Sequence, residues 1–412
     1  MNEEELKFII DHKTDDADDL LLHSSRYPGI DVRRVVVQLK GIRIAENKLP
    51  LWASTDGVLY PEHLPMEQCS SEQTSRYKLY VVRQLFSKDN TNPDDSGNFG
   101  KPLKIADLTG GFGVDAVMLS RGFPNCQLTY IERNPDLCAL ARHNFPLFGV
   151  DSSNIICGDC ENALNDLPEQ DIIFIDPSRR DSYGRKTVAL SDCQPDITIL
   201  NSQLLAKSTM VLVKLSPMLD ISSAINDLKG LSEIHVVSVE GECKEVLLLL
   251  SRYKEKSDDD ISVFCINIQK GNTYMEQFSM GEVRSAVVSF TNRLSRYLYE
   301  PNASVMKSNA MNAVGKKYGI MKLHPNSHLF TSDSLIGEFP GRIFEIMGIY
   351  GFNKRDHKLL ASLDKANITV RNFPLSVSGI RKRLKLKEGG GDYLFATTLY
   401  DNSHVLIYCR KC

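Results

Sequence analysis

The chain has 412 residues, is 42% hydrophobic and 25% charged, and carries a formal net charge of −3. That length is too great for one comfortable core and sets an expectation of about two to four domains, while the charge excludes a uniformly basic nucleic-acid binder. No apolar run approaches the roughly 18 residues of a membrane span, and the 10 cysteines are scattered in a way that favours reduced thiols over a disulfide framework.

The opening, MNEEELKFIIDHKTDDADD, is acidic and lacks the apolar centre of a secretory signal, so the expected compartment is the cytoplasm. Glu3, Glu4 and Glu5 suit a helix N-terminus, and Asp15, Asp16, Asp18 and Asp19 can cap a second short helix before LLL. Val32, Val35, Val36, Leu39 and Ile42 then recur at helical spacing. Pro50 ends that helix by pushing its predecessor out of helical geometry, and Trp52 is expected to anchor the corner in the core. A third helix opens at Ser71 and leads into SKDNTNPDDSGNFGK, whose Asn, Asp, Gly and Pro content marks a linker.

From Lys104 the period changes. KIADLT, QLTYIE, NIIC, DIIFID, MVLVKL, IHVVSV and EVLLLLS alternate with helical stretches, which predicts a mostly parallel sheet with helices on both faces. The last two runs are separated only by EGECK, short enough for an antiparallel hairpin at one sheet edge. The expected fold class is therefore α/β: a Rossmann-like sheet of seven strands, preceded by a helical region and followed by small α+β modules. Expected boundaries are 1–95 for the helices, 96–270 for the sheet domain, 271–333 for a small module and 334–412 for the last. ISVFCINI reads as a further strand extending the sheet.

IADLTGGFGVDAV combines a buried strand, a glycine loop and a first helical turn. Backbone amides at such a loop favour negative charge, and glycine lets a ligand approach closely. Asp107, Thr109, Gly111 and Gly113 are the candidates here. Glu132 ends the next strand and would accept from both ribose hydroxyls, and Asp159 follows the third strand and would accept from an adenine amino group. Gly111-x-Gly113-x-x-Ala116 with Glu132 about 20 residues on also satisfies the dinucleotide fingerprint, so NAD is the rival. Asp107 before the loop and Asp159 after the third strand favour S-adenosylmethionine. Asp115, in the first helical turn, is explained by compensation of the helix dipole.

DIIFIDPSRRD places Asp176 and Pro177 at the end of the fourth strand, beside the cofactor strand. A carboxylate and a backbone carbonyl there could hold the hydrogens of an exocyclic amine and localise its lone pair toward a sulfonium methyl. The segment departs from the Asp/Asn-Pro-Pro-aromatic pattern of amino methyltransferases. Ser178 replaces the second proline and Arg179 the aromatic, and an Arg plane can stack on a base or pair with phosphate. Arg180 is a candidate substrate contact or a solvated partner of Asp181. Lys214, with Ser216 and Pro217 at the next strand end, would face the same mouth. MVLVKLSPM carries no cysteine, which disfavours attack on uracil carbon. Cys157-x-x-Cys160 and Cys409-x-x-Cys412 have zinc-ligand spacing but not the turn composition of a zinc knuckle, so free thiols and no metal are expected.

VSGIRKRLKLKEGGG clusters Arg381, Lys382, Arg383, Lys385 and Lys387 on a predicted helix with Ile380, Leu384 and Leu386 inward. Residues 301–332 hold no acid but contain Lys307, Lys316, Lys317 and Lys322. Such segments suit electrostatic capture of an RNA backbone, with Arg381, Arg383 and Lys385 as candidate contacts; Tyr393, Phe395 and Tyr400 are expected in the sheet core.

QLKGIRIAENKLPLW, DLTGGFGVDA, IDPSRR, VKLSPM, EPNASVMKS and FPLSVSGIRKRLKLKEGGGDYLFATT together resemble a bacterial family of class I methyltransferases with a C-terminal THUMP-like domain. The resemblance spans nearly the whole chain. It implies an N-terminal helical region, a Rossmann-like S-adenosylmethionine-dependent domain, a small ferredoxin-like piece and a THUMP-like tail. THUMP domains accompany RNA-modifying enzymes, which suggests an RNA substrate by association. A methyltransferase for a small molecule, an NAD enzyme and a non-catalytic RNA-binding protein are the alternatives.

Overall fold

Acidic and amide side chains start the N-terminal helices where the sequence places them. Asn2 and Glu5 form a reciprocal capping box on α1 (Glu3–Asp11), and Asp16 accepts from the amides of Asp18 and Asp19 at α2 (Ala17–Leu22). Val32, Val35, Val36 and Leu39 of α3 (Val32–Lys48) are buried, and the helix stops two residues before Pro50, which opens α4 (Pro50–Ala53). After α5 (His63–Gln68), Ser71 caps α6 (Glu72–Lys88) by accepting from the Thr74 amide at 3.2 Å. The Trp52 ring is buried against Phe148, with centroids 4.6 Å apart.

The structure, a computed structural model, describes residues 1–88, 102–123, 125–179, 189–254, 257–353, 355–356, 360 and 363–412. It divides into two compact units, Met1–Leu231 with Leu248–Lys254, and Ser232–Leu247 with Glu255–Cys412.

The larger sheet contains β1 (Lys104–Asp107), β2 (Gln127–Glu132), β3 (Ile155–Cys157), β4 (Gln170–Ile175), β7 (Ser208–Leu215), β8 (Leu231–Val239), β9 (Glu242–Ser251), β10 (Ser262–Gln269) and β11 (Asn272–Ser279). Between β4 and β7, β5 (Ser178–Arg179) pairs with β6 (Cys193–Gln194) as a separate ladder. Helices α7 (Val114–Arg121), α8 (Pro135–Leu147), α9 (Cys160–Asp166), α10 (Ile197–Lys207) and α11 (Ile221–Asp227) form the crossovers. β2, β1, β4 and β7 are parallel neighbours, and their buried Ile, Val, Leu and Phe runs are what a sheet covered on both faces requires.

Nine strands stand where seven were expected, in the order β11-β10-β8-β9-β7-β4-β1-β2-β3. The hairpin of β8 and β9, turned at Glu240–Gly241 with φ of 49° and 83°, is therefore internal rather than at the edge. β10 runs parallel to β8, and β11 closes the edge antiparallel to β10. β11 was missed because only Glu276 and Phe278 on it are buried, so it makes no apolar run.

The second unit also carries a seven-stranded sheet from β12 (Tyr297–Pro301), β13 (Met321–Lys322), β14 (Phe330–Ser332), β15 (Gly341–Gly351), β16 (Asn367–Arg371), β17 (Asp392–Thr398) and β18 (His404–Lys411), in the order β13-β14-β12-β15-β18-β17-β16. Buried Glu300 on β12 pairs with Arg342 on β15 and with Arg371 on β16, the latter at 2.9 Å. Ile380 and Leu384 of the helix Val377–Leu384, with Leu386, pack on Leu394 and Leu406 as the sequence predicts.

Two expectations about this unit need correction. Lys322 is buried and donates to Asn312 Oδ1 at 3.0 Å, and Lys317 pairs at 2.5 Å with Glu276 of β11. Of this acid-free stretch, Lys322 is thus internal, and Lys317 takes its counter-charge from Glu276 outside it. Phe395 is core and Tyr393 half-buried, but Tyr400 is 51% exposed in the turn after β17, stacked on Phe290 at 4.9 Å.

Candidate active site

The carboxyl ends of β1, β2, β3 and β4 converge on the glycine loop. Strand register sets Asp107 beside Phe174 of β4 and Tyr130 of β2, and Glu132 beside Cys157 of β3. Gly110 packs so closely that a Cβ would lie 2.1 Å from the Tyr130 ring, and the Tyr130 hydroxyl donates to the Gly111 carbonyl at 2.6 Å. Gly111 (φ +59°) has an open side where a Cβ would meet only the Thr109 carbonyl oxygen at 3.8 Å. Gly113 (φ +85°) starts α7 in left-handed geometry, and a Cβ there would press on Phe145 at 2.6 Å.

Glu132 fixes the loop as well as facing the site. Its Oε2 accepts from the Gly111 amide and its Oε1 from the Asn134 amide, both at 2.8 Å. A carboxylate has about four lone-pair positions, so about two remain for ribose hydroxyls. Asp159 is the N-cap residue of α9 but makes no cap hydrogen bond; its carboxylate is exposed beyond β3. Asp107 is 1% exposed and accepts from the Thr109 amide at 3.1 Å. Burial pushes its carboxyl well above the usual range, and the charges of Asp115, Asp176 and Glu132 push the same way against the Thr109 amide. A buried carboxyl short of positive charge, an open glycine, a half-used Glu132 and an exposed Asp159 carboxylate fit the ammonium, ribose and adenine of a nucleoside cofactor.

Thr109 has a second task, because its Oγ1 accepts from the Asp176 amide at 2.6 Å. The glycine loop thereby holds the end of β4. Asp176 is half-buried and pairs with Lys214 from β7, which brings two of the expected residues together. Pro177 is buried. Arg179 lies on β5 opposite Cys193; Arg180 lies outside the described residues.

The sequence misread Asp115. It is a buried ion-pair partner rather than a dipole compensator: Lys78 Nζ of α6 lies 3.2 Å from its Oδ1, and Ser70 Oγ donates to its Oδ2 at 2.6 Å. Asp115 Oδ1 accepts no hydrogen bond, so the Lys78 contact is an ion pair. Burial would raise the Asp115 carboxyl, but Lys78, Lys214 and the Ser70 and Ser75 hydroxyls outweigh it and hold it low. Lys78 escaped notice although Ser75, Val81 and Val82, its neighbours at helical spacing, are all buried. Ser75 Oγ also donates to the Val114 carbonyl at 3.5 Å, and Tyr60 lies 6.1 Å from the Phe112 ring of the loop. The helical region is therefore built onto the glycine loop.

Elsewhere, Arg381 donates to the Ala366 carbonyl at 3.4 Å, Arg383 stacks over Phe352 at 4.4 Å, and Lys385 is exposed. All 10 cysteines are free thiols, with Cys157 and Cys412 exposed, Cys160 half-buried and Cys409 buried. No group of three metal-ligating side chains occurs among the described residues, and no described helix is long and apolar enough to cross a membrane.

A β3-β2-β1-β4-β7 half continued by β9 and then β8 is the strand order of the class I methyltransferase fold, in which the last strand turns back to sit inside its predecessor. A dinucleotide fold instead places its sixth strand beside its fifth. Family models for a ferredoxin-like domain and a THUMP domain-like region match residues 297–340 and 341–411. The crystal structure of a "putative methyltransferase" from Porphyromonas gingivalis W83 is 32% identical, covers 100% of this chain and 99% of its own, and has a TM-score of 0.84. The SAM-dependent methyltransferase from Agrobacterium tumefaciens is 16% identical over 42% of this chain and 62% of its own, with a TM-score of 0.31. TrmN from Thermus thermophilus is 19% identical over 37% and 45%, with a TM-score of 0.30. No curated protein matches the chain. The chain belongs to the family of the Porphyromonas protein, class I methyltransferases with ferredoxin-like and THUMP-like modules at the C-terminal end.

Proposed function

We propose that the protein transfers a methyl group from S-adenosylmethionine to a base nitrogen of structured RNA. The observation that carries the reading is Asp176 at the end of β4, hydrogen-bonded through its amide to Thr109 of the cofactor loop. This coupling puts the acceptor carboxylate and the cofactor loop under one constraint.

Asp107 is the acceptor for the cofactor ammonium, Glu132 for the ribose hydroxyls and Asp159 for the adenine amine, with Gly111 and Gly113 giving close backbone approach. Bound S-adenosylmethionine supplies an electrophilic methyl on its sulfonium. Asp176 and the Pro177 carbonyl accept the hydrogens of the substrate amine and turn its lone pair toward that methyl, so catalysis is chiefly positioning. Arg179 stacks on the base or pairs with a neighbouring phosphate. The methylated cation passes its proton to Asp176 or to water. Arg383 and Lys385, with Arg381, add charge for the RNA backbone from a THUMP-like domain over 334–412.

Calorimetric titration with S-adenosylhomocysteine and with NAD tests the cofactor. The homocysteine compound alone should bind; binding of NAD alone would overturn the reading. An enzyme that binds it, methylates a metabolite and ignores RNA at every salt concentration would retain the chemistry and overturn the substrate.

A further inference from the structure

β11 leaves the larger sheet with a long open edge. It runs eight residues, Asn272–Ser279, against three for β3 at the opposite edge and two and five for β13 and β16 at the edges of the second sheet. Folded proteins blunt an open edge by shortening it or by adding proline, a bulge or outward charge. β11 has none of these. NTYMEQFS contains no proline, and its pairing with β10 keeps one register over all eight positions. Its one charged residue, Glu276, is buried; the carboxylate takes Lys317 Nζ and the Tyr318 hydroxyl of the helix Met311–Tyr318, both at 2.5 Å. Among the described residues β10 is the only strand beside it.

The turn into β11 says which backbone groups are open. Lys270 and Gly271, with φ of 49° and 78°, join the paired residues Gln269 and Asn272 as a two-residue hairpin turn. The pair flanking such a turn is hydrogen-bonded, and bonded and non-bonded pairs alternate from there. Asn272, Tyr274, Glu276 and Phe278 therefore bond to β10, while Thr273, Met275 and Gln277 turn their N–H and C=O groups outward. The side chains of those three are exposed, Met275 at 47%, and Tyr274 beside them is 57% exposed.

We propose that β11 docks a second copy of this chain, pairing antiparallel with its own counterpart across a two-fold axis so that one sheet continues through both molecules. With Met275 opposite Met275 of the copy, Thr273 meets Gln277, and the outward residues exchange about six backbone hydrogen bonds. The outward positions are uncharged, so two copies meet no like charge along the strand. In this register Lys270, on the turn, stands level with Met280 of the copy, two residues before Glu282 in the first turn of the helix Met280–Ser285. Both side chains are exposed, so each end of the paired strands sets an ammonium near a carboxylate. The two-fold produces that match at both ends, which selects a second copy over an unrelated strand. One strand pair buries less than a standard interface, so the dimer is a weak one, with a dissociation constant on the order of 10–100 µM. None of this depends on the reaction proposed above.

Sedimentation of the full chain from about 1 to about 300 µM should show a reversible monomer–dimer equilibrium. Met275→Pro removes an outward donor at the two-fold from both copies and no bond to β10, and an edge proline whose nitrogen faces solvent is tolerated. It should weaken the dimer about tenfold or more while far-ultraviolet dichroism stays native. If that chain melts early, Met275→Lys decides instead, because it sets two ammonium groups opposite each other. Met275→Cys under a mild thiol oxidant should give a covalent dimer whose linked peptide carries position 275 from both chains. A hydrogen-bonded antiparallel pair holds its Cα atoms about 5.5 Å apart, within disulfide reach. A chain that stays monomeric at every concentration overturns the proposal, as does a dimer unchanged by Met275→Pro and Met275→Lys. Cross-links through the native cysteines alone, or a monomer whose β11 binds an unrelated extended peptide, overturn the second copy as its occupant.

Discussion

Replacing Lys78 with Met should destabilise the first unit by about 3–5 kcal/mol, the usual cost of leaving one partner of a buried ion pair alone. Lys78 is 0% exposed and Asp115 8%, so solvent cannot replace the lost ammonium. Ser70 would still donate to Asp115 at 2.6 Å, which places the expected loss at the lower end of that range. Asp115→Asn in the same chain should recover about half of it or more, because the uncompensated charge is gone. Trp52, the single tryptophan, lies buried in this unit and reports its unfolding in urea without interference from the second. The pH dependence has a defined sign. In the wild type Asp115 is held low, so its contribution is full at neutral pH and is lost only as pH falls below the ordinary aspartate range. Without Lys78, burial dominates and the carboxyl takes up a proton more easily. The gap between Lys78→Met and wild type should therefore narrow as pH falls from about 8 to about 5. A loss under about 1 kcal/mol, or a gap that widens on acidification, would refute the buried pair.

Three further outcomes follow from the site. Asp107 keeps its proton above the usual aspartate range, so S-adenosylhomocysteine affinity should rise as pH increases through that raised value, with proton release seen by calorimetry in buffers of different ionisation enthalpy. The same shift means that the Asp107 contribution to stability is present at low pH and lost as pH rises through the folded value; an affinity that falls with pH would contradict the assignment. Gly113→Ala puts a methyl 2.6 Å from Phe145 at a φ of +85°, and should weaken S-adenosylhomocysteine binding about tenfold while far-ultraviolet dichroism stays native. Lys385→Gln, at an exposed position, should reduce the slope of log affinity for RNA against log salt by about 0.7–0.9 without changing the melting temperature; Arg383→Gln should also lower stability, since Arg383 stacks on Phe352.

Where the sequence was legible, the signal was local. Glycine spacing, strand-end carboxylates and caps depend on residues within one turn or one strand, and Asp16, Ser71, Gly111, Gly113 and Glu132 stand where their local chemistry puts them. Charges paired over long separations were not legible. Asp115 looked like a dipole partner because Lys78 lies beyond the linker, and Lys317 looked like part of a basic surface because Glu276 could not be placed beside it. β11 failed for a different reason: an edge strand needs only one partly buried face, and here only Glu276 and Phe278 are covered.

The most direct test of the central claim is incubation of the protein and methyl-labelled S-adenosylmethionine with RNA from cells lacking the gene, followed by nucleoside mass spectrometry. The label should appear in a single base-methylated nucleoside with the wild type and fall about a hundredfold or more with Asp176→Ala, whose affinity for S-adenosylhomocysteine should be unchanged. Label absent from RNA but present in a metabolite, or full transfer by Asp176→Ala, would contradict the account.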